Sequence, residues 1–328
     1  MLSPALTRWL FSQDNPSVRY LFARDLKQPR PSAATLKRYR GAILRWEPVQ
    51  QLLGQQLEDG SFANPMPGFP AQTTYWALDL LARCGLDATD PPVALALARI
   101  KARHHVKGAF SYSGGGSGVL PCYVGVATRA VLALAGHDDP EGHAAIQWLV
   151  DHQRFDHKRS RAGGDKRWPY RSVESAYGGC WRSVSCYHGV VAALRAFTAI
   201  PPEHRSRAVQ RRVKAALRYL EIHRVYRRTD TGKPISKHLT QFFFAGDYRS
   251  HLIDVLEGIA EADPTLIEQR WVRAAVDDVE ALTDAGRVPL VKNYAKRLLD
   301  PLPFEPVGEP SRFLTLQWVR TKRRFGLV

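Results

Sequence analysis

The chain has 328 residues, 45% of them hydrophobic, and no apolar run close to the ~20 residues of a transmembrane helix. Residues 1–11 contain an Arg and a Trp and no apolar core of a signal peptide, so none is expected. Its 47 Lys and Arg outnumber its 31 Asp and Glu, and the formal net charge of +16 attracts anions such as nucleic acid, anionic lipid or phosphorylated small molecules. The basic residues are dispersed, so a solvated basic surface without a specific ligand is the alternative to anion binding. Four cysteines are few for this length and favour reduced thiols in a cytoplasm over a disulfide scaffold.

The N-terminal segment, residues 1–47, does not match the rest of the chain and is predicted to form a helical cap. Asn15 followed by Pro16 marks a helix start, because Asn caps free N–H groups and Pro has none to lose at the first helical position. Two further helices are predicted at residues 33–44 and 48–57. We expect the cap to close one end of the structure built by residues 48–328.

From residue 48 the chain repeats a helix, an Asp/Pro turn, a second helix and a glycine-containing loop. A repeated helix pair that cannot bury its own apolar face must stack on its neighbours, which predicts one domain with a continuous core. The predicted inner helices are residues 73–83, 121–135, 185–198, 249–260 and 311–320. Their predicted outer partners are residues 91–103, 140–153, 205–223 and 264–282.

The loops after the outer helices combine a Gln, a Gly and an aromatic residue, as in the segment with Gln56, Gly60 and Phe62. This pattern resembles the QW-type repeat of the terpenoid cyclase and protein prenyltransferase superfamily, over roughly residues 48–328. The resemblance implies an all-α fold, an α/α toroid in which inner helices surround a central cavity and outer helices surround them. It also implies that an isoprenoid, its diphosphate or a similar apolar molecule is bound there.

Soft metal ligands occur at the starts of two neighbouring predicted inner helices. Three cysteines and a histidine suit tetrahedral Zn²⁺, and buried thiols that fill gaps between helices are the alternative. In the resembled prenyltransferases the first zinc ligands include an Asp and a later His, whose places are taken here by Leu120 and Val184. A zinc-activated thiolate of that kind is therefore not supported, and a zinc site would use Cys122, Cys180, Cys186 and His188.

The remaining candidate residues follow from the toroid. The protonating Asp-x-Asp-Asp motif of the cyclases is absent, and Asp254 has no evident acidic neighbour to replace it. Arginine and lysine suit a diphosphate, and aromatic rings suit an isoprenoid tunnel. The candidate catalytic residues are Asp254 and Tyr123, and the candidate substrate-binding residues are Lys237, Arg249, Arg312, Trp181 and Tyr187.

The sequence leaves two functions open. The first is the binding of an isoprenoid in the central cavity, with its chemical transformation left undecided. The second is a non-enzymatic, basic helical scaffold that binds nucleic acid or another anionic partner. Aromatic residues do not alternate with basic ones as a stacking platform requires, which disfavours nucleic acid. Peripheral contact with a membrane and the oligomeric state stay open.

Overall fold

The computed structural model describes residues 2–62, 70–157, 185–244, 248–295, 298 and 303–328. Over these ranges the chain is mostly helical, and no helix in them combines the length and apolarity that crossing a bilayer requires. The α-helices of the first half are α1 (Pro4–Leu10), α2 (Pro16–Asp25), α3 (Ala33–Gly41), α4 (Glu47–Leu53), α5 (Gln72–Cys84), α6 (Pro91–His104), α7 (Pro121–Ala135) and α8 (Pro140–His152). Those of the second half are α9 (Tyr187–Thr198), α10 (Arg207–Ile222), α11 (Leu252–Ala262), α12 (Arg270–Glu280) and α13 (Arg312–Arg324).

Six of the described helices form a closed inner ring in the order α2, α5, α7, α9, α11 and α13. Each packs on the next, and α13 packs on α2 to close the ring. The outer layer alternates with the inner one: α3 packs on α2, α6 on α5, α8 on α7, α10 on α9 and α12 on α11. The predicted all-α toroid is therefore confirmed.

The N-terminal segment supplies more than a lid over this ring. Its helix α2 lies between α13 and α5 and completes the inner layer, while α1 packs on α2 and α13. The chain termini thus meet, because the last ring helix lies beside the first. The assignment of residues 1–47 as a separate cap of a single domain stays a prediction.

Most helix boundaries lie within three residues of their predicted positions, because the cap residues function as the sequence indicates. Asn15 accepts the N–H of Val18 at 2.9 Å, and Asp139 accepts the N–H of Gly142 at 2.9 Å. The predicted outer helix 264–282 is instead divided into a 3₁₀ helix, Pro264–Glu268, and α12. The extended backbone of Gln269, with ψ of 130°, separates the two.

Two short antiparallel pairs of strands tie loops to the helices. β1 (His105–Val106) pairs with β2 (Ala109–Phe110), and β3 (Val288–Pro289) pairs with β4 (Pro310–Ser311). The first pair connects α6 to the loop before α7. The second pair positions the start of α13, whose N-terminal N–H groups need acceptors.

The buried carboxyl group of Glu305 supplies those acceptors. It accepts the N–H of Arg312 at 2.6 Å and that of Phe313 at 3.2 Å, and the hydroxyl of Ser311 also donates to it. Burial raises the pKa of the Glu305 carboxyl to about 7, against the opposing effect of these donors. The start of the last ring helix therefore depends on a titratable group.

Helices α7 and α9 approach each other most closely at Gly125. A Cβ atom on Gly125 would lie 2.6 Å from the carbonyl carbon and 2.7 Å from the Cβ of Ala192. Only a residue without a side chain allows this backbone approach. The spacing of two ring helices thus depends on one glycine.

We expect Gly125→Ala to lower the free energy of unfolding by about 1–3 kcal/mol, because the added methyl group forces α7 away from α9. Gly41→Ala is the matched control, since no atom lies within 4 Å of its Cβ position at the exposed end of α3. It should be neutral or stabilising by up to about 1 kcal/mol. Urea unfolding followed by circular dichroism measures both, and equal effects would contradict the close approach.

We expect Glu305→Gln to change how stability depends on pH. The raised pKa means that stability from protonated Glu305 is fully present below its ordinary pKa of 4.5 and is lost as the pH rises to about 7. Relative to Glu305→Gln, the wild type should therefore lose about 3 kcal/mol between pH 4.5 and 8. Urea unfolding across this pH range tests it, and parallel stability curves for the two proteins would show that Glu305 titrates normally.

Candidate functional site

The ring encloses a cavity of about 280 Å³. All six ring helices contribute to its wall, mostly from their C-terminal halves, so the chain order brings distant segments to one place. Apolar side chains make up much of the rest of the wall, and the larger ones are Leu21, Leu86, Phe244, Phe313 and Leu316. The charged side chains of the wall are Arg24, Arg83, Arg129, Arg195, Arg320 and Arg324, with Asp79, Asp87, Glu257 and Glu261.

Helical spacing aims these groups into the ring. Residues three or four apart lie on one face of a helix, so Asp79 and Arg83 of α5 point the same way and pair at 3.2 Å. Asp254, Glu257 and Glu261 follow this spacing along α11. Since the other faces of these helices are apolar and buried, each charged stripe can only face the centre.

A buried network occupies the wall between α9, α11 and α13. The Arg195 guanidinium donates to Asp254 through Nη1 at 2.9 Å and to Glu257 through Nη2 at 2.9 Å. Gln317 of α13 donates from one amide nitrogen to Asp254 and to Glu257, each at 3.0 Å. The two carboxylates therefore face each other across a single nitrogen atom, and three ring helices meet there.

Arg129 and Arg83 extend this network to α7 and α5. Arg129 donates to Glu257 at 3.3 Å, to Glu261 at 3.0 Å and to the carbonyl oxygen of Arg195 at 3.0 Å. Arg83 lies 3.7 Å from Asp254. Five of the six ring helices are thus joined through charged side chains and the amide of Gln317.

The carboxylates of this network are held ionised. Burial alone would raise the pKa of Asp254, but Arg195, His251 and Arg83 hold it well below its usual range. Burial would also raise the pKa of Glu257, but Arg129, Arg195 and Arg324 hold it well below its usual range. Their contribution to stability is present above the ordinary carboxyl pKa and is lost as the pH falls through the lowered values. Neither group can act as a general acid near neutral pH.

A second charged group lies where α2 meets α13. Asp25 accepts from Arg24 at 2.6 Å and from Arg320 at 2.7 Å. Burial lowers the pKa of the Arg320 guanidinium, and Arg24 and Arg324 lower it further, against the effect of Asp25. Arg24 and Arg320 therefore share one close carboxylate at this side of the cavity, and Arg324 lies 3.4 Å from Glu261.

Asp254 is the predicted catalytic residue that lies in this network. It is 1% exposed, it lies in the first turn of α11 in a capping arrangement with His251, and burial lowers the pKa of that histidine to about 4. The expectation that Asp254 lacks an acidic neighbour is wrong, because Glu257 faces it from the next turn. Its catalytic role stays a prediction.

Tyr123, the other predicted catalytic residue, lies at the opposite end of the ring. Its hydroxyl accepts from Gln72 at 2.9 Å, and its ring packs between Tyr112, at 4.2 Å, and Tyr248, at 5.0 Å. Tyr187 is buried and donates its hydroxyl to the carbonyl oxygen of Val225 at 2.7 Å. Trp181 lies outside the described residues.

The three predicted diphosphate ligands lie in two places. Arg249 packs over Tyr248 at 4.6 Å, and Arg249 and the exposed Lys237 both lower the pKa of His238, after the larger effect of burial. Arg312 instead packs over Trp9 at 5.4 Å and pairs with Asp14 at 3.4 Å, both in the N-terminal segment. The described contacts of Arg312 therefore do not include the other two basic residues.

The predicted zinc ligands are brought together only in part. A Cβ atom on Gly189 would lie 3.5 Å from the Cβ of Cys186 and 3.7 Å from the backbone nitrogen of Cys122, so both cysteines border this residue. His188 accepts the N–H of Ser250 through Nδ1 at 3.2 Å. Within the described ranges no three His, Cys, Asp or Glu side chains are grouped as a metal site requires. Cys180 lies outside those ranges, so zinc stays a prediction.

The sequence reasoning missed most of the residues that line the cavity. A signal for them exists: a lone charged side chain within an otherwise apolar helix is rarely buried unless it is paired. That rule picks out the charged residues of α5, α7, α9 and α11, because these helices are otherwise mostly apolar. The missed residues are Asp79, Arg83, Arg129, Arg195, Glu257, Glu261 and Gln317.

Comparison with known proteins adds one similarity of fold. No protein-family model matches the chain, and no curated protein matches it. The chain is similar to a solved structure described as an unsaturated glucuronyl hydrolase specific for heparin, with a TM-score of 0.47 and 11% identity over 99% of this chain and 89% of that one. At this level the similarity concerns the fold alone.

The predicted isoprenoid-binding function is wrong. The described cavity is lined by six arginines and four acidic residues, and each of these charged groups would lose hydration against an apolar ligand. The alternative, a basic scaffold for nucleic acid or another anionic macromolecule, is also unsupported. The arginines converge inside a closed ring whose cavity has the volume of about nine water molecules.

We expect Glu257→Gln to lower the free energy of unfolding by about 3–5 kcal/mol, because it removes the carboxylate that Arg129 and Arg195 share and leaves a buried positive charge inside the ring uncompensated. Glu268→Gln is the control, since Glu268 is 70% exposed and pairs with Arg273 at the surface. That change should cost less than about 1 kcal/mol. Urea unfolding at neutral pH compares them, and a Glu257 variant as stable as the control would show that the network contributes no stability.

Proposed function

We propose that this protein binds a small anionic molecule in the cavity of its helical ring. The observation that carries the proposal is the surplus of arginine over acidic side chains in the cavity wall, six against four in the described lining. Guanidinium groups bind carboxylate and phosphate oxygens through pairs of hydrogen bonds. These hydrogen bonds are stronger where little water is present.

The size of the cavity limits the ligand. A volume of about 280 Å³ lies near the lower end of small-molecule pockets, roughly 300–1,000 Å³. A ligand with the bulk of one sugar ring or of a small organic acid suits this space. A nucleic-acid strand or an extended lipid does not.

Recognition, rather than acid–base catalysis, suits the charged groups. Asp254 and Glu257 are paired with arginines that hold their pKa values low, so neither offers a proton to a leaving group. The same pairs fix the positions of Arg129 and Arg195 before a ligand arrives. A preorganised set of donors reduces the cost of binding.

Other expectations from the sequence stay predictions beside this proposal. They are a zinc ion held by Cys122, Cys180, Cys186 and His188, a cytoplasmic location, and membership of the terpenoid cyclase and prenyltransferase superfamily. The zinc prediction is independent of the cavity, because Cys122, Cys186 and His188 lie at the N-terminal ends of α7 and α9. Metal analysis of protein purified without an affinity tag tests it.

We expect titration calorimetry at low ionic strength to show one binding site for acetate or inorganic phosphate. Arg324→Gln should weaken this binding about tenfold, the effect of losing one hydrogen bond to a charged group. Arg324 is 38% exposed at the end of α13, so the variant should fold.

The control is Arg273→Gln, which removes an arginine from the outer helix α12 and should leave the binding of both anions unchanged. Absence of stoichiometric binding of any small anion would contradict the proposal. An equal loss of affinity in both variants would also contradict it, because the effect would then follow net charge and not the cavity.

A further inference from the structure

Charge is unevenly distributed around the cavity, and one side is positive. We call Arg24, Arg320 and Arg324 the positive end. Their closest acidic partner is Asp25, which contacts Arg24 and Arg320, and the contacts of Arg324 with Glu257 and Glu261 are the longer ones, at 3.8 and 3.4 Å. Arg24 and Arg320 thus share one carboxylate, which leaves a surplus of positive charge between α2 and α13.

The charges on the remaining ring helices are balanced. There three wall carboxylates accompany three guanidiniums, every carboxylate accepts from at least one arginine, and Asp254 lies behind the wall at 1% exposure. We call the wall carboxylates the acidic end; they are Asp79, Glu257 and Glu261, accompanied by Arg83, Arg129 and Arg195. The cavity therefore has a surplus of positive charge on one side and balanced charge on the other.

We propose, on the premise that the cavity binds a small anion, that its ligand is a hydroxylated carboxylic acid of the size of one sugar ring. A single carboxylate fits the positive end, where two parallel guanidinium donors can hold it. Hydroxyl groups fit the acidic end, because carboxylate oxygens have lone pairs beyond those that their arginines use.

Two other ligand classes fit the charge distribution less well. A phosphate or a polyanion would bring additional negative charge towards Glu257 and Glu261, and like charges at short range repel. An ammonium group at the acidic end would bring a positive charge close to Arg129 and Arg195, which already pair with these carboxylates, and like charges repel. A neutral donor avoids both conflicts.

Four matched probes test this proposal by titration calorimetry on the full chain: D-glucuronate, D-glucose, acetate and inorganic phosphate. We expect D-glucuronate to bind at least about tenfold more tightly than either D-glucose or acetate, since only it carries both the carboxylate and the hydroxyls. Phosphate should bind more weakly than D-glucuronate.

Two variants test which end of the cavity binds the carboxylate and which binds the hydroxyl groups. Arg320→Gln should weaken D-glucuronate and acetate alike, about tenfold, because both use the positive end. Asp79→Asn should weaken D-glucuronate and leave acetate unchanged, because acetate has no hydroxyl. Arg273→Gln is the control for all four probes. Circular dichroism checks the fold of each variant, and Arg24→Gln replaces Arg320→Gln if the latter does not fold.

The outcomes separate this inference from its premise. Acetate and phosphate binding that depends on Arg324, with D-glucuronate no tighter than acetate, overturns the inference and leaves anion binding intact. Tighter binding of phosphate, or of D-glucosamine as a fifth probe, overturns it in favour of the other ligand classes. If none of the probes binds, both the inference and the proposed function fail.

Discussion

The ring depends on the buried ion pairs that Arg195 makes with Asp254 and Glu257. Charged groups of this kind are stable away from water only when each has a partner at the right distance. Here the partners come from different ring helices, with Gln317 closing the contact between α11 and α13. The charged groups can therefore be buried only when the helices are arranged as a ring. A polar network thus determines which of the largely apolar helices lie side by side.

The same network determines what the cavity can do. Because arginines keep Asp254 and Glu257 ionised, the ring centre presents fixed charges and not exchangeable protons. Fixed charges suit recognition of a ligand whose own charge and hydroxyl groups complement them. The proposed preference of the cavity for an anion rests on the surplus of arginine at the junction of α2 and α13, where the first and last ring helices meet.

Local signals made the fold predictable, whereas the site depends on tertiary pairing. Proline and Asp or Asn at helix starts set most boundaries, and α7 begins and ends where the sequence indicates. The repeated helix pair then leads to a toroid. The cavity residues could not be placed in the same way, because Arg129 finds its partners, Glu257 and Glu261, more than a hundred residues away. The resemblance to isoprenoid enzymes suggested an apolar cavity, and these side chains exclude one.

The most direct test is a crystal structure of the protein soaked with selenate, a small anion whose selenium atom is located by anomalous scattering. The account predicts an ordered selenium peak inside the ring, within hydrogen-bonding reach of Arg24, Arg320 or Arg324. Peaks confined to exposed arginines on the outer surface, such as those of the loop with Arg227 and Arg228, would contradict it. An ordered ring with an empty centre at saturating selenate would contradict it as well.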